Sequence, residues 1–124
     1  HPRTRARLKD MGLELDGGRW KLVEPLGYMD FLRLMASAKV VLSDSGGIQE
    51  ETTVLGTPCV TLRENTERPC TIDEGTNVLA GSRRETILPA YQEVMSRKLD
   101  GRIPKFWDGK TAERIAESLL KAFG

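Results

Sequence analysis

Hydrophobic residues alternate along the chain between short continuous runs and helically spaced stripes. The runs at residues 20–26, 39–42, 59–62 and 76–79 predict strands. The stripes at residues 3–11, 28–38, 46–55, 82–95 and 111–123 predict helices with one apolar face. Because strands and helices alternate, the pattern predicts an α/β fold, a parallel sheet with helices on both faces.

Residues 40–51 are the stretch around which the chain is organised. An apolar run ends in a Ser/Asp/Gly cluster, and a helix is predicted to begin at Gly46. Ser45 is placed to cap this helix with its hydroxyl, while Gly46 and Gly47 leave the backbone bare for a phosphate. With the positive end of the helix dipole, this makes a candidate anion site. An ordinary capped strand-to-helix turn fits the same pattern.

Other local signals place the ends of the helices. Gly56 stands where the C-terminal cap of the helix at 46–55 is expected. Ser82 and Glu85 have the spacing of a capping box for the next long helix. Pro89 fits that helix only if it lies early in it, because proline lacks a backbone N–H.

A polar stretch, residues 63–69, follows the predicted strand at 59–62. It lies at the carboxyl end of a strand, where open α/β sheets bind ligands. Arg68 is the candidate there, since its planar guanidinium suits a bidentate phosphate contact. An ordinary surface ion pair with Glu64 or Glu67 is the alternative.

Composition narrows the class of protein. The length of 124 residues fits one domain, and the net charge of +1, from 19 basic and 18 acidic residues, argues against a nucleic-acid or membrane surface. No apolar run approaches a membrane span and no signal-peptide pattern is present, so a cytoplasmic protein is expected. Cys59 and Cys70 form no metal-ligand pattern and are expected to be free thiols, and no cofactor is implied.

Several linked motifs resemble the non-hydrolysing UDP-N-acetylglucosamine 2-epimerases. Their order is more specific than any one of them, and they cover nearly the whole chain. They are Ser-Asp-Ser-Gly-Gly-Ile-Gln-Glu-Glu at 43–51, Leu-Gly-Thr-Pro at 55–58, Thr-Glu-Arg-Pro at 66–69, Glu-Gly-Thr-Asn at 74–77, His-Pro-Arg-Thr at 1–4 and Pro-Leu-Gly-Tyr-Met-Asp-Phe at 25–31.

The resemblance implies a fold and a ligand. Members of that family have two Rossmann-like domains with the active site in the cleft between them, as in glycosyltransferases of the B type (GT-B). Residues 1–124 resemble most of the second, UDP-binding domain, so UDP and a UDP-N-acetylhexosamine are the expected ligands. The absent N-terminal domain and a second copy in a homodimer are the expected partners.

The resemblance also assigns roles to individual residues. Ser45, Gly46 and Gly47 at the start of the 46–55 helix would hold the diphosphate, together with the basic side chain of Arg68. The carboxylate of Glu51 would bind the ribose, and the apolar side chains of Leu26 and Phe31 would contact the uracil. His1 matches a histidine that helps bind a second, regulatory UDP-GlcNAc in some bacterial relatives.

The family reaction interconverts UDP-GlcNAc and UDP-ManNAc. The C2 proton is removed, UDP is expelled to leave a glycal, and UDP is added back with the proton on the other face. The family's catalytic carboxylates and its Gly-His-Arg-Arg-Glu segment would lie upstream of His1, so this chain alone is expected to be inactive, with no catalytic residue of its own. The alternatives are a hydrolysing relative that releases UDP and free ManNAc, a binding module, and half of a GT-B glycosyltransferase.

Overall fold

A computed structural model describes residues 2–13, 18–96 and 102–124 of the chain, without the side chain of Pro2. The chain divides into two compact units, the first ending at Leu32 and the second beginning at Arg33. The interpretation of the whole chain as one domain therefore stays a prediction.

The first unit contains helix α1 (Pro2–Asp10) and the beginning of helix α2 (Tyr28–Ser37). The predicted strand at 20–26 is wrong, since only Trp20 makes an isolated bridge and residues 21–27 have no regular structure. Pro25 cannot donate a ladder hydrogen bond. The Val23 carbonyl accepts a hydrogen bond from Nη2 of Arg5 at 3.0 Å.

The second unit contains a three-stranded parallel sheet in sequential order, β1 (Val41–Ser43), β2 (Cys59–Thr61) and β3 (Asn77–Leu79). Val41 pairs with Cys59, and Cys59 pairs with Asn77. The three strands are parallel, as predicted, although each is shorter than its apolar run. Their carboxyl ends therefore meet at one edge of the sheet.

In the described part of this unit, four helices are present in addition to the end of α2. Helix α3 (Gly46–Leu55) follows β1, the short α4 (Cys70–Asp73) follows β2, and α5 (Arg84–Ser96) follows β3; α6 (Thr111–Phe123) comes last. Gly56 caps α3 in the left-handed conformation (φ 69°), and its N–H points to the carbonyls of Thr52 and Thr53. The predicted stop of α3 is confirmed.

The central strand β2 is buried on both faces. On one face Val60 lies in an apolar cluster with Ala80 and with Ala90 and Val94 of α5. On the other face Cys59 lies beside Thr52 of α3. Because side chains alternate along a strand, α3 and α5 cover opposite faces of the sheet, as the sequence pattern predicts.

One prediction about the helices differs from the structure. Pro89 lies in the second turn of α5 and not at its start. In α2, Met35 is buried, while Tyr28 at the start of the helix is exposed. No helix among the described residues is long and apolar enough to cross a membrane.

Candidate functional site

The carboxyl edge of the sheet holds the candidate site. Here β1 leads through Ser45 into α3, and β2 leads into residues 62–69, which we call the Arg68 loop. Both segments lie in the second unit, so their mutual contacts define the geometry of the site.

The N-terminus of α3 has no side-chain cap. Ser45 occupies the N-cap position with extended backbone (φ −78°, ψ 129°), but its hydroxyl makes no hydrogen bond to the first-turn N–H groups. The predicted cap is wrong. The Ser45 N–H itself donates to Oγ of Ser43 at 3.1 Å, so Ser43 holds the turn. The first N–H groups of α3 are left for water or a ligand.

Gly46 and Gly47 leave open space beside this helix end. A Cβ added at Gly46 would meet no atom of the described chain within 4 Å, and one at Gly47 would meet only Oγ of Ser45 at 4.0 Å. The packing of the fold therefore does not require glycine at either position. What the two glycines provide is bare backbone, which a ligand can approach closely.

Arg68 makes an ion pair, but not with either of the predicted partners. Its Nε lies 2.7 Å from Oε1 of Glu50 in α3. Glu64 accepts hydrogen bonds from Ser82, and the side chain of Glu67 lies near Arg63 at 3.7 Å. Glu50 is about 6 Å along the helix axis from Gly46, from the 1.5 Å rise per residue. The guanidinium is thus held beside the first turns of α3.

Gln49 and Thr66 join the Arg68 loop to α3, and neither was predicted from the sequence as a site residue. Gln49 is fully buried. Its Oε1 accepts a hydrogen bond from the Thr66 hydroxyl at 2.6 Å, and that hydroxyl accepts one from the Arg68 N–H at 3.0 Å. The available signal was the polar set Gln49, Thr52 and Thr53 on the sheet-facing side of α3, because buried polar groups need partners.

Glu64 ties the middle of the Arg68 loop to the turn before α5. Its Oε1 accepts hydrogen bonds from Oγ of Ser82 at 2.7 Å and from the Ser82 N–H at 3.0 Å. These two bonds lower the pKa of Glu64, because they favour the ionised carboxylate. Helix α5 begins at Arg84, so its N-cap position falls on Arg83 and not on Ser82, where the predicted capping box requires it.

For the remaining predicted site residues, no contact in the described part of the second unit holds them beside Arg68. Glu51 is partly buried one turn into α3. In the first unit, Leu26 is exposed and Phe31 partly buried; His1 lies outside the described residues. The roles of these four residues, like those of Ser45, Gly46, Gly47 and Arg68, stay predictions.

Both cysteines are free, as expected. Cys59 is buried, and burial raises the pKa of its thiol. Cys70, at the start of α4, is half-buried.

Comparisons with known proteins show the family to which the chain belongs. Residues 1–120 match the sequence model of the family described as UDP-N-acetylglucosamine 2-epimerase. The UDP-N-acetylglucosamine 2-epimerase of Methanocaldococcus jannaschii is 43% identical over 122 residues, which are 96% of this chain and 33% of that protein. The UDP-2,3-diacetamido-2,3-dideoxy-D-glucuronate 2-epimerase of Pseudomonas aeruginosa is 35% identical over 121 residues, 98% of this chain and 33% of that protein.

Solved structures of UDP-GlcNAc 2-epimerases are also similar to this chain. The structure of the M. jannaschii UDP-GlcNAc 2-epimerase in complex with UDP-GlcNAc and UDP matches with a TM-score of 0.79 at 43% identity, covering 98% of this chain and 34% of that one. These similarities confirm the Rossmann-like, GT-B type fold class. The chain spans about a third of the length of the curated relatives it matches.

Proposed function

Because the chain belongs to the UDP-N-acetylglucosamine 2-epimerase family, we propose that it forms the UDP-binding part of an enzyme that interconverts UDP-GlcNAc and UDP-ManNAc. The reaction removes the C2 proton, expels UDP to leave a glycal, and adds UDP back with a proton on the other face. The N-terminal domain and the homodimer that the resemblance implies belong to the same proposal.

One observation carries the assignment: Arg68 is held by Glu50 beside the uncapped N-terminus of α3. The N–H groups at Gly46 and Gly47 and the guanidinium of Arg68 would bind the diphosphate together, with the Ser45 hydroxyl as an additional donor. Glu51 would accept hydrogen bonds from the ribose hydroxyls.

These groups suit the elimination step. When the bond between C1 and the diphosphate oxygen breaks, negative charge grows on the departing UDP. Fixed donors that are already oriented toward that charge lower the barrier without reorganisation. The same donors hold UDP in place for its return to the glycal, so the second half of the reaction stays intramolecular.

The names of the relatives support nucleotide binding as the role of this third of the protein. One relative is named for UDP-N-acetylglucosamine and another for UDP-2,3-diacetamido-2,3-dideoxy-D-glucuronate. The two sugars differ, and UDP is common to both names. A segment shared by both proteins is therefore suited to the UDP moiety, and recognition of the sugar is assigned to the rest of the protein.

Calorimetric titration of this chain with UDP tests the proposal. We expect binding, and we expect Arg68→Ala to weaken it about 10- to 100-fold, the range for losing a hydrogen-bonded charge. Lys121→Ala is the matched control, because it removes one positive charge from an exposed position in the last turn of α6. Equal affinity of the Arg68→Ala and Lys121→Ala variants would refute a diphosphate site at Arg68.

Turnover is a separate part of the proposal. We expect this chain alone to leave UDP-GlcNAc unchanged, because the family resemblance places the acid and base for the C2 proton in the N-terminal domain. Proton NMR of an overnight incubation distinguishes the outcomes. Formation of UDP-ManNAc would show that the chain is catalytic by itself, and UDP with free ManNAc would identify a hydrolysing enzyme.

A further inference from the structure

The two anion-binding elements of the site are connected through one buried side chain. Gln49 is inaccessible to solvent, and its amide reaches in two directions. Nε2 donates to the Ser45 carbonyl at 3.4 Å, and Oε1 accepts from the Thr66 hydroxyl at 2.6 Å. One contact is at the N-terminus of α3 and the other is in the Arg68 loop.

The chemistry of these groups fixes the direction of each hydrogen bond. An amide oxygen can only accept, so the Thr66 hydroxyl must donate its single proton to Gln49. The lone pairs of Thr66 Oγ1 are then left to accept the Arg68 N–H, at 3.0 Å. The backbone of Arg68 is thereby held through Thr66 to a buried amide.

Gln49 is itself anchored from the sheet. Its backbone carbonyl accepts hydrogen bonds from Nδ2 of Asn77 at 2.9 Å and from the Thr53 hydroxyl at 2.8 Å. The Asn77 contact holds α3 on the sheet without using the side-chain amide of Gln49. The amide is therefore available to hold the Arg68 loop.

The side chain of Arg68 is oriented by separate contacts. Nε lies 2.7 Å from Oε1 of Glu50, and Nη1 donates to the Glu67 carbonyl at 3.4 Å. Nη2 has no hydrogen-bond partner within the part of the chain that the structure describes. With its backbone and its Nε both held, Arg68 presents Nη2 to an incoming anion.

We propose that Thr66, supported by the amide of Gln49, is a positioning residue that sets the place of Arg68 for binding the diphosphate, an inference that rests on the proposed function. Thr66 does not touch the ligand. Its contribution is to keep the guanidinium at a fixed place beside the N-terminus of α3, so that the two donor groups act on the same diphosphate.

A variant series at Thr66 tests this inference by UDP calorimetry. Thr66→Val keeps the branched shape and removes the hydroxyl, and we expect roughly tenfold weaker binding. Thr66→Ser keeps the hydroxyl, and we expect affinity within about twofold of the wild type. Thr86→Val is the matched control, because it removes a hydroxyl that bonds only the nearby Arg83 carbonyl at the start of α5.

A double-mutant cycle separates positioning from general support of the fold. If Thr66 acts through Arg68, Thr66→Val should weaken binding by less than about twofold in the Arg68→Ala background. Thermal unfolding of each variant checks that it is folded. If Thr66→Val does not fold, Thr66→Ala takes its place.

The outcomes distinguish this inference from the proposed function. Wild-type affinity in a folded Thr66→Val or Thr66→Ala chain would overturn the positioning role and leave the UDP site intact. Equal losses in the wild-type and Arg68→Ala backgrounds would also overturn it, because the effect would then not pass through Arg68. No binding of UDP by the wild-type chain would overturn both.

Discussion

Glu50 and Arg68 are joined across two segments of the chain, with Oε1 of one 2.7 Å from Nε of the other. Both side chains are partly exposed, at 42% and 44% of their full surface. Ion pairs with this exposure contribute little to folding, because water already solvates both charges well. The pair is therefore better explained by the orientation of Arg68 than by stability.

We expect Glu50→Gln to change the free energy of unfolding by less than ~1 kcal/mol, the range for exposed ion pairs. The amide retains an oxygen that can accept from Nε of Arg68. Urea denaturation followed by circular dichroism measures the change. A loss of several kcal/mol would instead make the pair a structural element of the second unit.

Gly75 packs too closely for any side chain. A Cβ at this position would lie 2.5 Å from the Thr71 carbonyl oxygen and 2.9 Å from Cγ2 of Thr53. We expect Gly75→Ala to lower the free energy of unfolding by ~1–3 kcal/mol, because α4 would be pushed away from α3. Gly46→Ala is the control in the same denaturation experiment, with an expected change below ~1 kcal/mol. Equal effects of the two substitutions would contradict this account.

The ionised carboxylate of Asp108 stabilises the folded chain, and this contribution is lost at low pH. Nη1 of Arg114 donates to its carboxylate at 2.9 Å, and this contact lowers the pKa of Asp108 to about 2 from its ordinary 3.8. A depressed pKa in the folded state means that the stabilisation is complete above about pH 4 and is lost as the pH falls through about 2.

We therefore expect Asp108→Asn to lower the thermal midpoint at pH 7 and to flatten its dependence on pH between about 4 and 2. Thermal unfolding of the wild type and the variant at several pH values measures this. The difference between the two midpoints should shrink toward pH 2. A constant difference over the whole range would show that ionisation of Asp108 is not its source.

Ser82 offers a test of where its hydroxyl acts. The hydroxyl and N–H of Ser82 both bond Glu64, so Ser82→Ala should lower stability through the Arg68 loop. The loss should largely disappear in a Glu64→Ala background, which removes the accepting oxygen, while Glu85→Ala should leave the effect of Ser82→Ala unchanged. A capping box would give the opposite result, with Ser82 coupled to Glu85 and independent of Glu64.

Short-range signals in the sequence predicted the elements that depend on neighbouring residues. Strand β1, the end of α3 at Gly56 and helix α6 lie nearly where the apolar run before Ser43, the glycine and the apolar stripe predicted them. The strand expected at 20–26 failed for the opposite reason. A strand needs a partner, and neither composition nor spacing indicates whether one is present.

The site was predictable in its types of residue but not in its contacts. Glycines after a strand and an arginine at the carboxyl edge were visible in the sequence. The partner of Arg68 was not, because the choice among Glu50, Glu64 and Glu67 depends on the path of the Arg68 loop. The hydroxyls of Ser45 and Ser82 show the same limit. Spacing predicted a capping role for each, but the Ser45 hydroxyl makes no cap hydrogen bond and the Ser82 hydroxyl donates to Glu64.

The interior of the second unit is unusually polar, and this has a thermal consequence. Among the described residues, seven apolar side chains are buried, Pro104 included, against eight polar ones: Gln49, Thr52, Thr53, Thr57, Thr61, Thr71, Thr76 and Asn77. Exposing polar surface lowers the heat capacity of unfolding, whereas exposing apolar surface raises it. This unit should therefore unfold with a heat-capacity increment below the ~12–15 cal/mol/K per residue of ordinary domains. Its free energy of unfolding then follows a broad, shallow curve, which keeps the Arg68 loop in place across a wide span of temperature.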